Sequence, residues 1–244
     1  MDYLIYNLGR RAPRATWALP AGFDQRLRTG QSRIAEVVDF AIQNCAKMLR
    51  MARPREFDEH QVVTAAKEVF WRHGYEATGL DVLERATHLS RSSVYAAFGS
   101  KRNLFEVAMQ EYEGTFIESV LGRVEASGAG PADAQRFFAE IGSLFRGDLG
   151  DRGCLVVNAI GELAGRDAAA TREGARLHTR YRRAFANALG VSTSRGERRR
   201  AIIAQRAEIL AVTAMGVWIT SRVDPRAAAD ACDAIIVQIK TWIT

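Results

Sequence analysis

The eighteen residues HLSRSSVYAAFGSKRNLF, His88 to Phe105, carry a short helix and the start of a second, with a single glycine between the end of one and the cap of the next. Ser90 stands as the N-cap of a very short helix, with Leu89 and Val94 spaced as a hydrophobic staple across that cap. Gly99 ends the helix after Phe98, and Ser100 caps a longer one that begins at Lys101. On the short helix Val94 and Phe98 lie at i and i+4, facing inward. Ser92, Tyr95 and Ala96 share the outward face. Small polar groups at the start of a helix, with a tyrosine one turn later, suit insertion into a DNA major groove. Serine hydroxyls meet base edges, Arg91 forks onto guanine or phosphate, and Ala96 is slim enough to approach a thymine methyl. Tyr95 reaches backbone phosphate through its hydroxyl. The following N-terminus offers free N–H groups and the Lys101 ammonium to a neighbouring phosphate.

Outward from this stretch the chain reads as helices. Upstream, Val62, Ala66, Val69 and Phe70 mark one from about Asp58 to His73, stopped at Gly74. Thr78 opens a second, with Asp81 in the capping-box position and Leu80, Leu83 and Ala86 inside. Downstream, the Lys101 helix continues through Leu104, Phe105, Ala108, Tyr112 and Phe116. A loop, EASGAGPADA, leads to a helix holding Phe137, Phe138, Ile141, Leu144 and Phe145. After a break at Gly147 to Gly153 come helices at about Cys154 to Ala164, Asp167 to Leu189, Glu197 to Val223 and Pro225 to Ile243. Arg176, Arg180 and Arg183 read as a solvated face of the third from last. No convincing alternating strand occurs, so the predicted fold class is all-α.

Composition narrows the classes. The chain has 244 residues, 48% hydrophobic and 25% charged, enough for one or two cores. Its net charge of +6 divides into +4 over residues 1–50, zero over 51–110 and +2 over the rest. Bulk basicity therefore carries no DNA-binding argument; the placement of single cations must. The longest apolar run, Ile209 to Ser221, is shorter than the ~18 residues a spanning helix needs, and no secretory signal pattern opens the chain. Cytoplasmic location without membrane contact is expected. Cys45, Cys154 and Cys232 are too widely spaced for a disulfide framework or a CxxC metal site. His60, His73, His88 and His178 form no HExxH, and neither a phosphate-cradling glycine loop nor GxSxG appears, so no enzyme, metal or cofactor is expected.

Residues 58–105, with AAKEVFWRHGYEATGLDVL and then LSRSSVYAAFGSKRNLF, resemble the N-terminal domain of the TetR/AcrR family of bacterial transcriptional regulators. The likeness covers about a fifth of the chain closely, and the all-helical remainder agrees in outline. It implies a helix-turn-helix DNA-binding domain over 52–99 and a helical ligand-binding and dimerisation domain over 100–244. The implied partners are a palindromic double-stranded DNA operator, a small-molecule effector and a second copy of the chain. By position it places Arg91, Ser92, Ser93, Tyr95 and Ala96 on the recognition helix, with Thr78 capping the helix before it and Lys101 at the phosphate. The pattern departs at His88, where a turn glycine is common, and at Ala97, where a second aromatic or a histidine is common. A positive φ at His88 would carry a modest cost.

Residues 1–51 stand apart, as a genuine arm and helix with a stripe from Ile34 to Leu49, or as codons upstream of a natural start at Met51, the preferred reading. For an effector pocket the aromatic and aliphatic candidates are Tyr112, Phe116, Phe137, Phe138, Phe145, Leu163, Tyr181, Met215 and Trp218. Cys154, beside Arg152 at a helix start, is a candidate sensor because dipole and cation favour thiolate. A buried, inert cysteine is the competing reading. Ile203, Leu210, Ala214 and Val217 form one stripe and Cys232, Ile236, Ile239 and Ile243 another, with Gly216 allowing close approach; the stripes fit a dimer face or intramolecular core, and the resemblance favours the dimer. The expected function is a ligand-responsive repressor. The alternatives are a redox or electrophile sensor acting through Cys154, and a helical dimer that has lost specific DNA binding.

Overall fold

The local signals around Ser90 and Ser100 form as written. A computed structural model of the chain describes residues 57–147, 150–190 and 195–243. The expectations for residues 1–51, including the Ile34 to Leu49 stripe, lie outside the described residues. Helix α1 is Glu59–His73, capped by Asp58, whose carboxylate accepts from the His60 and Gln61 N–H groups. Helix α2 is Leu80–Thr87 and α3 is Arg91–Phe98, whose N-cap Ser90 accepts from Ser93 N. Helix α4 is Lys101–Tyr112, with Ser100 accepting from Asn103 N. A wide π-type turn at Glu113–Ile117 then carries the chain into α5, Glu118–Glu125. Helices α6 (Pro131–Arg146), α7 (Leu155–Leu163), α8 (Ala168–Ala188), α9 (Glu197–Ser221) and α10 (Pro225–Ile243) complete the order, and no strand occurs among the described residues.

Helices α1 to α4 pack as a head, with α1 against α2 and α4, and α3 against α2 and α4. Val62, Val63, Ala66 and Phe70 of α1 close its core with Leu83, Val94, Phe98, Leu104 and Phe105. In the body α10 lies along α6, while α9 packs on α8 and α10. At the α6–α10 crossing a Cβ on Gly142 would stand 3.2 Å from the Cys232 Cβ, so glycine there sets the closeness of the pair. Residues 57–244 form one compact unit.

One reading of a face is corrected. Of the two stripes expected at the dimer, Ile203, Leu210, Ala214, Val217, Cys232 and Ile239 are buried within the chain, Ile236 is half-buried and Ile243 is exposed. Helix α9 is apolar on nearly every side, so its period does not reveal which side turns inward. Arg176 and Arg183 are exposed, in keeping with a solvated face, while Arg180 is half-buried; Arg176 and Arg180 in addition tie α8 to the π-turn and α5. Arg176 pairs with Glu113 and Glu173, and Arg180 with Glu118 and Glu125 at 2.7 and 2.6 Å. Taken whole, α9 also reaches a mean hydropathy of 1.4 over an 18-residue window, which the count of its longest apolar run did not register. Its inner side packs against α8 and α10.

Candidate nucleic-acid interface

Helix α3 turns Val94 and Phe98 into the head and leaves Arg91, Ser92, Tyr95 and Ala96 exposed, Tyr95 at 45%. Ser93 is half-buried. At the front of the helix the Ser90 hydroxyl lies 2.8 Å from that of Ser92 and 3.0 Å from that of Ser93, so the three share protons and set one another's direction. The Arg91 N–H donates to Glu84 of α2, anchoring the start of α3 and leaving the guanidinium outside. Asp81 on the same head is held below its usual carboxylate range by the hydrogen bond from Arg85.

The turn before α3 requires a left-handed residue. His88 takes it with φ 57° and is the only non-glycine at positive φ among the described residues. The departure noted in the sequence is thus accommodated by strain at one histidine. Gly99, φ 78°, makes the second reversal and brings Ser100 and Lys101 next to α3. The Lys101 ammonium rests 4.4 Å above the Tyr75 ring at the mouth of the α4 N-terminus. The neighbouring Arg102 is committed elsewhere, bonding Asp167 of the body and Glu106.

Thr78 is placed differently from its expected role. It is buried, and its hydroxyl donates to the Gly74 carbonyl, closing the turn after α1, while Gly79 stands at the α2 N-cap without a side-chain bond.

Sequence reasoning missed the groups that join head to body. Trp71 of α1 donates through Nε1 to the Gly153 carbonyl at 3.0 Å. Arg152 lies 4.5 Å over the Trp71 ring and pairs with Glu68. Gly153 holds φ 67°, and a Cβ there would meet Asn158 Oδ1 and Arg222 at 2.8 Å, so the loop tolerates no side chain. Asn158 fixes the same loop by donating to the Arg152 carbonyl. Glu162 of α7 accepts the Tyr75 and Glu76 N–H groups at 2.9 and 2.6 Å. A signal was present: α1 buries the adjacent residues Phe70 and Trp71, an arc too wide for one packing partner.

Of the pocket candidates, Tyr112, Phe137, Phe138, Phe145, Leu163, Tyr181 and Trp218 are buried, while Phe116 and Met215 are partly buried. Tyr112, Phe116, Trp218 and Phe145 follow one another in ring contact at 5.0, 5.9 and 4.9 Å. Phe137, Phe138, Tyr181 and Phe185 form a second cluster. Cys154 is fully buried and its thiol is pushed up by desolvation. Of the two readings of Cys154 this is the buried one: Arg152 turns to Trp71 and Glu68, and burial outweighs the helix start.

Comparison with known proteins agrees with this arrangement. The family model for bacterial regulatory proteins of the tetR family matches residues 62–108. An uncharacterised HTH-type transcriptional regulator of Bacillus subtilis, YezE, is 31% identical over 147 residues, 60% of this chain and 76% of that protein. The HTH-type transcriptional repressor ComR of Escherichia coli is 33% identical over 116 residues, 47% of this chain and 54% of ComR. Among solved structures, a cysteine mutant of the TetR family regulator CifR, complexed with 26-bp double-strand operator DNA, is 25% identical with a TM-score of 0.62. The match covers 77% of this chain and 97% of that one. The chain belongs to the tetR family of bacterial regulatory proteins, as a helix-turn-helix transcriptional regulator.

Proposed function

We propose that this chain is a ligand-responsive repressor that binds a palindromic operator as a homodimer in the cytoplasm. Residues 52–99 serve as the reading domain and 100–244 as the effector and dimer domain. The observation that carries the reading is the split of α3: Val94 and Phe98 buried, Arg91, Ser92, Tyr95 and Ala96 exposed, with a serine-capped helix start and Lys101 beside them. Arg91, Ser92, Ser93 and Ala96 then meet base edges, while Tyr95, Lys101 and the α4 N–H groups hold phosphates. Effector binding in the body shifts the balance between two spacings of the reading heads.

The homodimer is supported by a stripe one residue out of phase with the buried one. Ile202, Gln205, Ile209, Val212, Ile219 and Val223 are exposed and recur at alternating steps of three and four, or their sum. Gly216 occupies the intervening step, with open space where its Cβ would point. Ala227, Ala234, Val237 and Thr241 continue an exposed stripe on α10. Two such helices from each copy make a four-helix contact.

The test is recovery of bound genomic fragments by the purified protein at two salt concentrations. A short palindrome is expected, with Lys101→Ala lowering the salt slope by about one and Tyr95→Ala weakening every site. Binding that is diffuse, and indifferent to both changes, would leave a helical dimer without a reader.

A further inference from the structure

Lys101 forms no ion pair among the described residues, whereas Arg102 next to it bonds Asp167 and Glu106. Its ammonium lies instead 4.4 Å from the centroid of the Tyr75 ring, and both residues are half-buried. Tyr75 comes from the turn after α1, so the ammonium is aimed by a different element from the one whose cap lies beneath it. The ring is itself held in place. It stacks on Phe70 at 6.2 Å and tilts against Phe105 at 4.8 Å. Its backbone N–H donates to Glu162 of α7 at 2.9 Å. Gly74, φ 83°, makes room for that bond, since a Cβ there would stand 2.8 Å from the Glu162 carboxylate. The Tyr75 hydroxyl bonds no described residue, which leaves the ring face as the part of the side chain that is used.

Resting on the reading of Lys101 as a phosphate contact, we infer that Tyr75 is a positioning residue for DNA binding, whose ring face holds the Lys101 ammonium at the α4 N-terminus. An aromatic face attracts a cation through its quadrupole and leaves the charge intact. A carboxylate in the same place would hold the ammonium as firmly but would oppose the phosphate. Lys67 shows the contrast: its ammonium is paired with Glu111 at 2.7 Å and is spent inside the fold. A lysine that swings freely loses rotamer freedom when it grips a phosphate. One already laid over a ring has lost much of that freedom beforehand, so less is lost on binding. The ammonium and the free N–H groups of α4 then meet the phosphate from fixed directions. The hold on Tyr75 runs through Glu162, so the body as well as the head sets where Lys101 stands.

The test uses the full chain and the operator recovered from genomic fragments. Tyr75→Leu keeps an apolar side chain against Phe70 and Phe105 but removes the ring face; Tyr75→Phe keeps the face and removes only the hydroxyl. Tyr75→Leu is expected to weaken operator binding about threefold per reading head, or about tenfold where two heads bind together. The salt slope should stay as it is, because the ammonium is still present. Tyr75→Phe should bind as the parent does, and with Lys101→Ala in place Tyr75→Leu should cost no further affinity. Without DNA, the Lys101 methylene protons, assigned by their loss in Lys101→Ala, should resonate upfield of those of the other three lysines in the parent and in Tyr75→Phe. An equal loss from Tyr75→Leu in both backgrounds would make the residue a support of the head's fold and overturn the proposal. Unshifted Lys101 protons in the parent would overturn it too, without recourse to the leucine variant. Weaker binding by Tyr75→Phe would make the hydroxyl a DNA contact of its own and end the positioning role. A parent that binds no specific operator, or Lys101→Ala that binds as the parent does, would instead remove the phosphate grip that the role serves, whatever the ring shift shows.

Discussion

The head and the body use polar groups in opposite ways. In the head, the serines at 90, 92 and 93, Arg91 and Lys101 are exposed or half-buried at helix starts, within a few residues of the backbone groups they serve. In the body, Tyr181, Trp218 and Cys154, together with Tyr112 at the far end of α4, are sealed inside and meet only through the tertiary fold. A surface for a charged polymer can be built from local rules, because capping and exposure are decided over three or four residues. An interior polar site depends on which helices cross, and the spacing of any one helix says little about it.

The sharpest break in that comparison is on α9, where two apolar stripes lie one residue apart. Leu210→Ala, on the fully buried stripe, should cost about 2–5 kcal/mol in urea melts of the whole chain. Ile209→Ala, on a residue 50% exposed in the single chain, should cost little of the monomer's own stability but weaken self-association in sedimentation. If Ile209→Ala destabilises as much as Leu210→Ala at concentrations where the chain is monomeric, the outer stripe is not an interface.

The same helix explains what was legible in the sequence. Ser90 and Ser100 cap where their spacing placed them, since a cap is a contact with a backbone N–H two or three residues away; Asp58 and Asp167, read only as approximate helix starts, cap in the same way. The loops before α6 and after it are equally plain from glycine and proline. Thr78 was misread because a hydroxyl in a turn has two carbonyl or N–H neighbours, and the one behind it won. The π-type turn at Glu113–Ile117 left no composition signal, although Gly114 lies within it. The spacing left Cys154 open between an activated and an inert thiol, because Trp71, which claims the Arg152 guanidinium, comes from another helix.

Alkali separates the two regions with the next largest effect. Burial raises the Cys154, Tyr112 and Tyr181 proton affinities, and pushes the Cys232 thiol up to about 12. The native state therefore keeps protons that the unfolded chain releases first. The stability linked to these groups is fully present below the ordinary thiol value of 9.0 and is lost as the pH climbs above it. Each such group removes about 1.4 kcal/mol per pH unit once its unfolded form has ionised. Urea melts from pH 8 to 11 should fall steadily, and Cys154→Val should make the fall shallower. An equal fall in that variant would show that the thiol is not among the protons retained.

The smallest effect belongs to the head. His88 holds φ 57° at the end of α2, a conformation that costs a residue with a Cβ about 1–2 kcal/mol and glycine nothing. Glycine gives back part of that gain through the greater freedom of the unfolded chain. His88→Gly should therefore stabilise by about 0.5–1 kcal/mol, or roughly 2–4 °C at most in a chain of this size. The imidazole is exposed, two residues before the Ser90 cap, so melting and DNA binding report on different properties of the same side chain. A higher melting temperature with unchanged operator affinity would make His88 a tolerated departure at a glycine position. Higher stability with weaker binding would mean that the imidazole touches DNA and that the strain is kept for recognition. A lower melting temperature would show that the turn depends on contacts of the ring, and the head would then share the body's reliance on tertiary partners.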